Sequence, residues 1–294
     1  MNIIRKIFIH EDGYLRTTLQ ILIAAFIFLI VATVGKDLIA RGLYELVQSK
    51  VLSADIYDSY FLTGVLPETF VNFMSGLLIL GTYKLINKKP ISSIGVTSIS
   101  KDYGFIFKGI ATLMVMLSCI TLVLVFVGDI KFTGLKFNIS ILQYILLMSS
   151  VSFVEEVLNR GFIQHVVKSR LSKIWSLIIP SIVFTLFHVV NPGITVLSIF
   201  NIFLAGIFFS LITNKVGNIW FAFGAHIVWN VGAACIFGLM DVSSATGTIL
   251  NFEYIKYTLF NGYGAGPLSG VIGSIAWLSA ILLFSKIKMK KSNQ

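Results

Sequence analysis

Apolar segments long enough to cross a lipid bilayer recur along nearly the whole sequence. A transmembrane helix needs about 20 predominantly apolar residues. Eight such segments occur, near residues 17–35, 66–86, 105–128, 140–160, 174–190, 194–213, 217–240 and 267–285. With 56% hydrophobic and only 12% charged residues, the chain has more apolar surface than a soluble domain can bury. The sequence therefore predicts an all-α, polytopic membrane protein with about eight transmembrane helices, organised as a single membrane domain over residues 1–294.

The basic residues lie in short clusters between these segments, with Arg160 taken to mark the end of the fourth. Because positively charged loops stay in the cytoplasm, their distribution predicts a cell-membrane protein with both termini cytoplasmic. This pattern also accounts for the net charge of +10 without a nucleic-acid partner, which would favour one basic stripe with aromatic residues. Residues 1–16 superficially resemble a secretory signal, but the apolar run after them is long and lacks a convincing cleavage site. We expect it to remain as an uncleaved first helix.

Few ionisable side chains fall deep within the apolar segments. Glu155 and Glu156 lie in the fourth, His188 in the fifth and His226 in the seventh. Each is costly at membrane depth, so each needs a partner or a function. A structural use is open for every one of them, since single polar residues can hold helices together. Glu156 has a candidate partner in Arg160, four residues later on the same helical face.

The same residues also fit a catalytic site. Glu155 has no obvious partner, and a carboxylate shielded from bulk water becomes a stronger base that can accept a proton from water. His188 lies near a helix end, just before Asn191 and Pro192, where irregular backbone could admit water. His226 and Asn230 are spaced i, i+4, which stacks two hydrogen-bond donors on one face, as an oxyanion site requires. Three separate segments presenting such groups favour catalysis.

Three short motifs occur in order, each on a separate apolar segment. They are Glu-Glu-x-x-x-Arg at 155–160, Phe-x-x-x-His at 184–188 and His-x-x-x-Asn at 226–230. Together they form a far more specific signal than any one alone. The pattern resembles the CPBP family of intramembrane proteases, which includes CAAX-processing endopeptidases and proteins linked to bacteriocin processing and self-immunity. The similarity is strongest over about 140–240, which also contains Asn191-Pro192 and the run 201–206.

The resemblance implies an eight-helix fold and an endopeptidase that hydrolyses peptide bonds of membrane-associated proteins or peptides, at a site open to the cytoplasm. By the same resemblance, the catalytic pair that activates water would be Glu155 and His188. The oxyanion would be stabilised by His226 and Asn230, and the supporting residues would be Glu156 and Arg160.

The cofactor question stays open at this point. Glu155, His188 and His226 could in principle form a His₂Glu zinc site. No His-Glu-x-x-His segment occurs, and a metal bound by these residues would leave no obvious base. We therefore expect a glutamate-dependent mechanism without a cofactor, with zinc as the alternative.

Two other functions are compatible with the sequence. One is a non-catalytic membrane immunity factor or scaffold of the same fold. The other is a proton-coupled transporter, since buried Glu and His can relay protons, although no internal repeat supports it. The expected partners are membrane lipid and a membrane-associated protein or peptide substrate, with no nucleic acid. The sequence specifies neither an oligomeric state nor whether the substrate is prenylated.

Overall fold

The computed structural model describes residues 16–53, 55, 59–240, 247–263 and 265–292. Within them, eight apolar helices follow in the predicted order: α1 (Thr17–Gln48), α2 (Phe61–Asn87), α3 (Ile99–Phe126), α4 (Ser140–Lys168), α5 (Trp175–His188), α6 (Val196–Val216), α7 (Trp220–Ile236) and α8 (Val271–Lys286). Among these, α1 to α4 and α6 are long and apolar enough to cross a membrane, and α5, α7 and α8 are shorter. The predicted all-α, polytopic membrane architecture is confirmed.

The first helix is longer than its apolar segment. The segment was expected to end near residue 35 because charged residues begin at Lys36, yet α1 continues to Gln48. These charges are paired: Arg41 Nε lies 2.8 Å from Asp37 Oδ2, and Lys36 Nζ lies 2.7 Å from Glu68 Oε1 on α2. At 1.5 Å per residue, α1 extends about 48 Å, well beyond a hydrocarbon core of about 30 Å.

The fourth helix also runs past its predicted end. The fourth segment was predicted to end at Arg160, but α4 continues to Lys168, and Arg160 is only 1% exposed. The guanidinium can be buried because Glu156 Oε1 and Gly206 O accept hydrogen bonds from it and two aromatic rings pack on it. Its charge therefore belongs to the interior and carries no information about membrane orientation.

Three of the helices contain a π-helical segment. These are the first turn of α2 (Phe61–Val65), the middle of α4 (Val157–Ile163) and the end of α7 (Val228–Ile236). A π turn adds a residue to the helical repeat and is frequent at functional sites. The segments in α4 and α7 carry Arg160 and Asn230, so the register changes where the sequence placed its site.

Helices α3 and α7 cross with their backbones in contact. A Cβ on Gly109 would overlap the carbonyl oxygen of Phe221, and a Cβ on Gly224 would overlap that of Ile106. Small residues permit such close approach in membrane helices, where packing replaces the hydrophobic driving force. Because His226 follows Gly224 by two residues, this crossing fixes its position along α7.

A short two-stranded antiparallel sheet was not expected from the sequence. The strands β1 (Ile130–Leu135) and β2 (Leu250–Tyr254) pair antiparallel, with Phe132 opposite Phe252 and a bulge after Phe132. The sheet covers the end of α7, where Ile249 N donates to Cys235 O at 2.7 Å. Two strands of five and six residues are too short for their alternation to stand out beside eight long apolar segments.

The buried side chains form two main clusters, and α7 contributes to both. One cluster lies among α3, α6, α7 and α8, with Phe208, Phe221 and Trp277 at its centre. The other lies among α1, α2, α4 and the start of α7, with Tyr83 and Phe162. The face of α7 that carries His226 is consequently held against α4 from within the bundle.

Candidate active site

Glu156 joins α4 to α7 inside the bundle. Its Oε1 accepts a hydrogen bond from Arg160 Nη1 at 3.1 Å and lies 2.9 Å from His226 Nδ1. Because a carboxylate accepts, Nδ1 is the donor in the second contact. The side chains of Glu156 and Arg160 are both 0% exposed. Removing either charge would leave the other buried and uncompensated, so the pair is a fixed structural element of the site.

Glu155 faces the other nitrogen of the same imidazole. Its Oε2 lies 3.6 Å from His226 Nε2, longer than a hydrogen bond. The Glu155 side chain is 14% exposed, so it reaches solvent more than its neighbour does. Within the described part of the chain, Glu155 Oε2 is buried and has no hydrogen-bond partner. This oxygen therefore keeps the acceptor capacity that binding and activating a water requires.

Two aromatic rings fix the orientation of His226. The imidazole stacks on Phe209, with centroids 5.2 Å apart and an angle of 23°, and meets the Phe184 ring edge-on at 5.7 Å. Its side chain is only 4% exposed. With a carboxylate at each nitrogen and a ring at two sides, the imidazole has one orientation, and Nε2 points toward Glu155.

The same two rings contact Arg160. Its Cζ lies 4.5 Å from the Phe184 ring centroid and 5.1 Å from that of Phe209, which are cation–π contacts. Nη2 donates to Gly206 O on α6 at 3.4 Å. A Cβ on Gly206 would lie 2.8 Å from Ser181 Cβ on α5, so glycine permits the close approach of α5 and α6. Arg160 thus ties α4 to both of these helices.

His188 is the last residue of α5 and is half-buried. Its Nδ1 lies 2.8 Å from Phe184 O, and since a carbonyl only accepts, Nδ1 donates and Nε2 keeps its lone pair. The imidazole packs on the Phe184 ring at 4.7 Å. Among the described residues, His188 makes no hydrogen bond to Glu155 or His226. The Phe184 ring also meets the His226 imidazole at 5.7 Å, so both histidines contact the same ring.

Asn230 lies in the π-helical part of α7 and is half-buried. Its Nδ2 donates to Ser152 Oγ on α4 at 3.4 Å. Ser152 precedes Glu156 by four residues, which is about 6 Å along the helix. The structure thus brings Glu155, Glu156, Arg160 and His226 into direct contact. Asn230 lies about one turn away along the α4–α7 interface.

Sequence analysis assigned no role to three residues that contact the site side chains: Ser152, Gly206 and Phe209. Ser152 was detectable, since it lies one turn before Glu156 on the same face. Gly206 ends the family-like run 201–206, but its carbonyl contact depends on how α6 packs. Phe209 carries no local signal, because it is one of 25 phenylalanines in an apolar chain.

The zinc alternative needs Glu155, His188 and His226 around one point, each about 2 Å from the metal. Over the ranges that the structure describes, no group of three or more His, Cys, Asp and Glu side chains is arranged to hold a metal ion. His226 Nδ1 donates to Glu156, which leaves Nε2 available, as in histidines that bind a metal through one nitrogen.

Residues 137–232 match the Rce1-like family model, described as type II CAAX prenyl endopeptidase Rce1-like. The matched segment contains α4, α5, α6 and most of α7, with all the residues of the cluster described above. This match confirms the family resemblance that the three motifs indicated. No curated protein and no solved structure matches the chain.

Proposed function

We propose that this chain, a multi-pass membrane protein with an Rce1-like domain of the type II CAAX prenyl endopeptidase family at residues 137–232, hydrolyses peptide bonds through Glu155. The observation that carries the proposal is the facing pair of Glu155 Oε2 and His226 Nε2, 3.6 Å apart. A base with free acceptor capacity and an oriented imidazole inside an apolar bundle are suited to hydrolysing an amide.

In this mechanism Glu155 removes a proton from water, and the water oxygen attacks the carbonyl carbon of the scissile bond. The Nε2 lone pair of His188 accepts a hydrogen bond from the same water. With both ring nitrogens protonated, His226 donates from Nε2, and the Asn230 amide donates beside it, to the oxyanion that forms. The proton held by Glu155 then passes to the leaving amine as the carbon–nitrogen bond breaks.

Glu156 and Arg160 act as positioning residues in this scheme. Glu156 accepts the Nδ1 proton of His226, which directs Nε2 to the opposite side of the ring, toward Glu155. Arg160 neutralises Glu156 and holds it against α6. Every step uses side chains of the chain itself, and we propose that no metal is required.

We propose that the substrates are membrane-associated proteins or peptides. The matched family is described by its action at prenylated CAAX sequences, so a prenylated chain end is one candidate class. We also propose that the protein lies in the cell membrane with both termini in the cytoplasm. Exposed lysines at the end of α8 and just after it support this orientation: Lys286, Lys288, Lys290 and Lys291.

The test uses purified protein in detergent micelles with a farnesylated CAAX peptide, the same peptide without the farnesyl group, and a set of apolar membrane peptides. We compare wild type with Glu155→Gln and with the matched control Glu253→Gln, which changes an exposed acid on β2. Wild type and Glu253→Gln should cleave at the same rate. Glu155→Gln should lose at least about 100-fold in rate, as expected for removal of a general base.

Equal cleavage by Glu155→Gln and wild type would contradict the mechanism. If the biological function in cells survived changes at Glu155, His188 and His226, the non-catalytic alternative, an immunity factor or scaffold of the same fold, would be favoured. Chelator treatment completes the comparison. Cleavage that is lost with chelator and restored by zinc would contradict the metal-free scheme.

A further inference from the structure

A groove of about 650 Å³ lies between α3 and α8 on the outer surface of the bundle. Its wall is formed by apolar and small side chains from both helices, including Val115, Cys119 and Val123 from α3 and Ile275, Ala276 and Leu283 from α8. Its size falls within the range of about 300–1,000 Å³ found for ligand sites. It lies outside the site described above, which is built on α4, α5, α6 and α7.

A second, basic pocket of about 430 Å³ adjoins one end of the groove. It is lined by four lysines, Lys101, Lys108, Lys290 and Lys291. Lys108 lies one helical turn before Thr112, at which the apolar groove has begun. All four lysines are exposed, and in the part of the chain that the structure describes none of them forms an ion pair. The pocket therefore presents an excess of positive charge.

One acid, Asp102, lines the same pocket, so four lysines face one carboxylate and positive charge remains in excess. Asp102 is 5% exposed, and its Oδ2 accepts hydrogen bonds from Thr97 Oγ1 and from Ser292 Oγ, the latter at 2.7 Å. Ser292 N also donates to Val216 O at 2.8 Å. These bonds hold the segment after α8 across the end of α3, so the basic pocket has a fixed wall.

A third contact fixes the end of α8 itself. Lys215 Nζ donates to Ser285 O and to Ile287 O, both at 2.9 Å, which satisfies carbonyl groups at the helix terminus. The chain then continues in an extended conformation from Ile287. The groove wall and the pocket wall are consequently parts of one anchored segment.

We propose that this continuous groove and basic pocket bind one anionic phospholipid, with an acyl chain along α3 and α8 and the phosphate among the four lysines. An apolar groove on a membrane helix pair accommodates a hydrocarbon chain, and basic pockets at helix ends bind anionic head groups. Charge complementarity selects this occupant over a zwitterionic lipid. The proposal does not depend on the peptidase activity.

The test measures retained lipid by native mass spectrometry after delipidation and reconstitution with phosphatidylglycerol or with phosphatidylcholine of the same chains. Wild type should retain one phosphatidylglycerol, with at least about tenfold preference over phosphatidylcholine. Millimolar glycerol phosphate should not displace it, because the soluble head group lacks the acyl chain. Equal retention of both lipids, or displacement by glycerol phosphate, would overturn the proposal.

Variants separate this site from general charge effects. Lys290→Gln with Lys291→Gln should reduce retention by about tenfold or more, at about fivefold per lysine. Ser279→Phe, which fills the groove, should reduce it to a similar degree. The control Lys84→Gln with Lys173→Gln removes the same charge at two exposed positions outside the pocket and should retain lipid as wild type does. Equal losses in the control and in the pocket variant would overturn the proposal. All variants should melt at the wild-type temperature without lipid.

Discussion

Two Arg–acid pairs with the same i, i+4 spacing lie in opposite surroundings. Arg160 and Glu156 on α4 are 3.1 Å apart, and both side chains are 0% exposed. Arg41 and Asp37 on α1 are 2.8 Å apart, with side chains that are 75% and 55% exposed. The inner pair is surrounded by the rings of Phe184 and Phe209, whereas the outer pair lies on the part of α1 that extends past its apolar segment.

The helices that carry or surround these pairs show the same difference. In the most apolar window of α6, 67% of the residues are buried, against 11% in that of α1. Both helices are long and apolar, so apolarity does not determine which one lies inside a membrane bundle. Polar and small residues do: α6 contributes Asn201, Gly206 and Ser210 to the interior. Burial inside the helix bundle follows from hydrogen bonding and close approach rather than from hydrophobicity.

The sharpest test of this comparison removes each arginine in turn. Arg160→Met should lower the free energy of unfolding by about 3–5 kcal/mol, because it leaves the Glu156 carboxylate buried without its cation. The matched variant Arg41→Met should change it by no more than about 1 kcal/mol, since exposed pairs are screened by solvent. Unfolding by SDS titration in mixed micelles measures both variants.

A double variant extends this test. Glu156→Gln combined with Arg160→Met removes both charges and should recover much of the lost stability, because no uncompensated charge remains. Equal changes in the free energy of unfolding for Arg160→Met and Arg41→Met would show that burial of the inner pair has no energetic consequence.

A second test compares Gly109, which is buried on α3, with Gly42, which is exposed on α1. Gly109→Ala should destabilise the protein by about 1–3 kcal/mol, because its Cβ would meet the backbone of α7 at the Phe221 carbonyl and cannot rotate away. A Cβ on Gly42 of α1 would have nothing within 4 Å. Gly42→Ala should be neutral or stabilising by up to about 1 kcal/mol through helix propensity. Thermal melting in detergent distinguishes the two. A neutral Gly109→Ala would contradict the backbone contact between α3 and α7.

The smallest expected effect separates two buried serines on α4. Ser152→Ala removes the acceptor for Asn230, and Ser150→Ala removes the acceptor for Asn72 on α2. Each loses one hydrogen bond, so each should cost about 1 kcal/mol of stability. Only Ser152→Ala should also lower kcat, by about two- to tenfold, because it releases the proposed oxyanion donor. Equal kcat values in the two variants would remove Asn230 from the mechanism.

The sequence predicted the eight helices well because bilayer thickness imposes a length on each apolar segment. It also predicted the pairing of Glu156 with Arg160, whereas the contact of Glu156 with His226 was not predicted. The roles assigned to the site residues and the single-domain organisation stay predictions.

Other features could not be predicted from local sequence. The π segments in α4 and α7 change the register that i, i+4 counting assumes, and they depend on how the two helices pack. The stacking of Phe209 on His226 also requires knowledge of the packing, since α6 presents several phenylalanines. The continuation of α4 beyond Arg160 was not predicted, because charge alone does not show whether an arginine finds acceptors inside the bundle.

The central claim is that Glu155 activates water for peptide hydrolysis within the helix bundle. Its most direct test compares membrane-associated and released peptides, by mass spectrometry, from cells with wild-type protein and cells with Glu155→Gln at equal protein levels. The account predicts defined cleavage products that are present with wild type and absent with Glu155→Gln. Identical peptide sets from the two cell lines would contradict it.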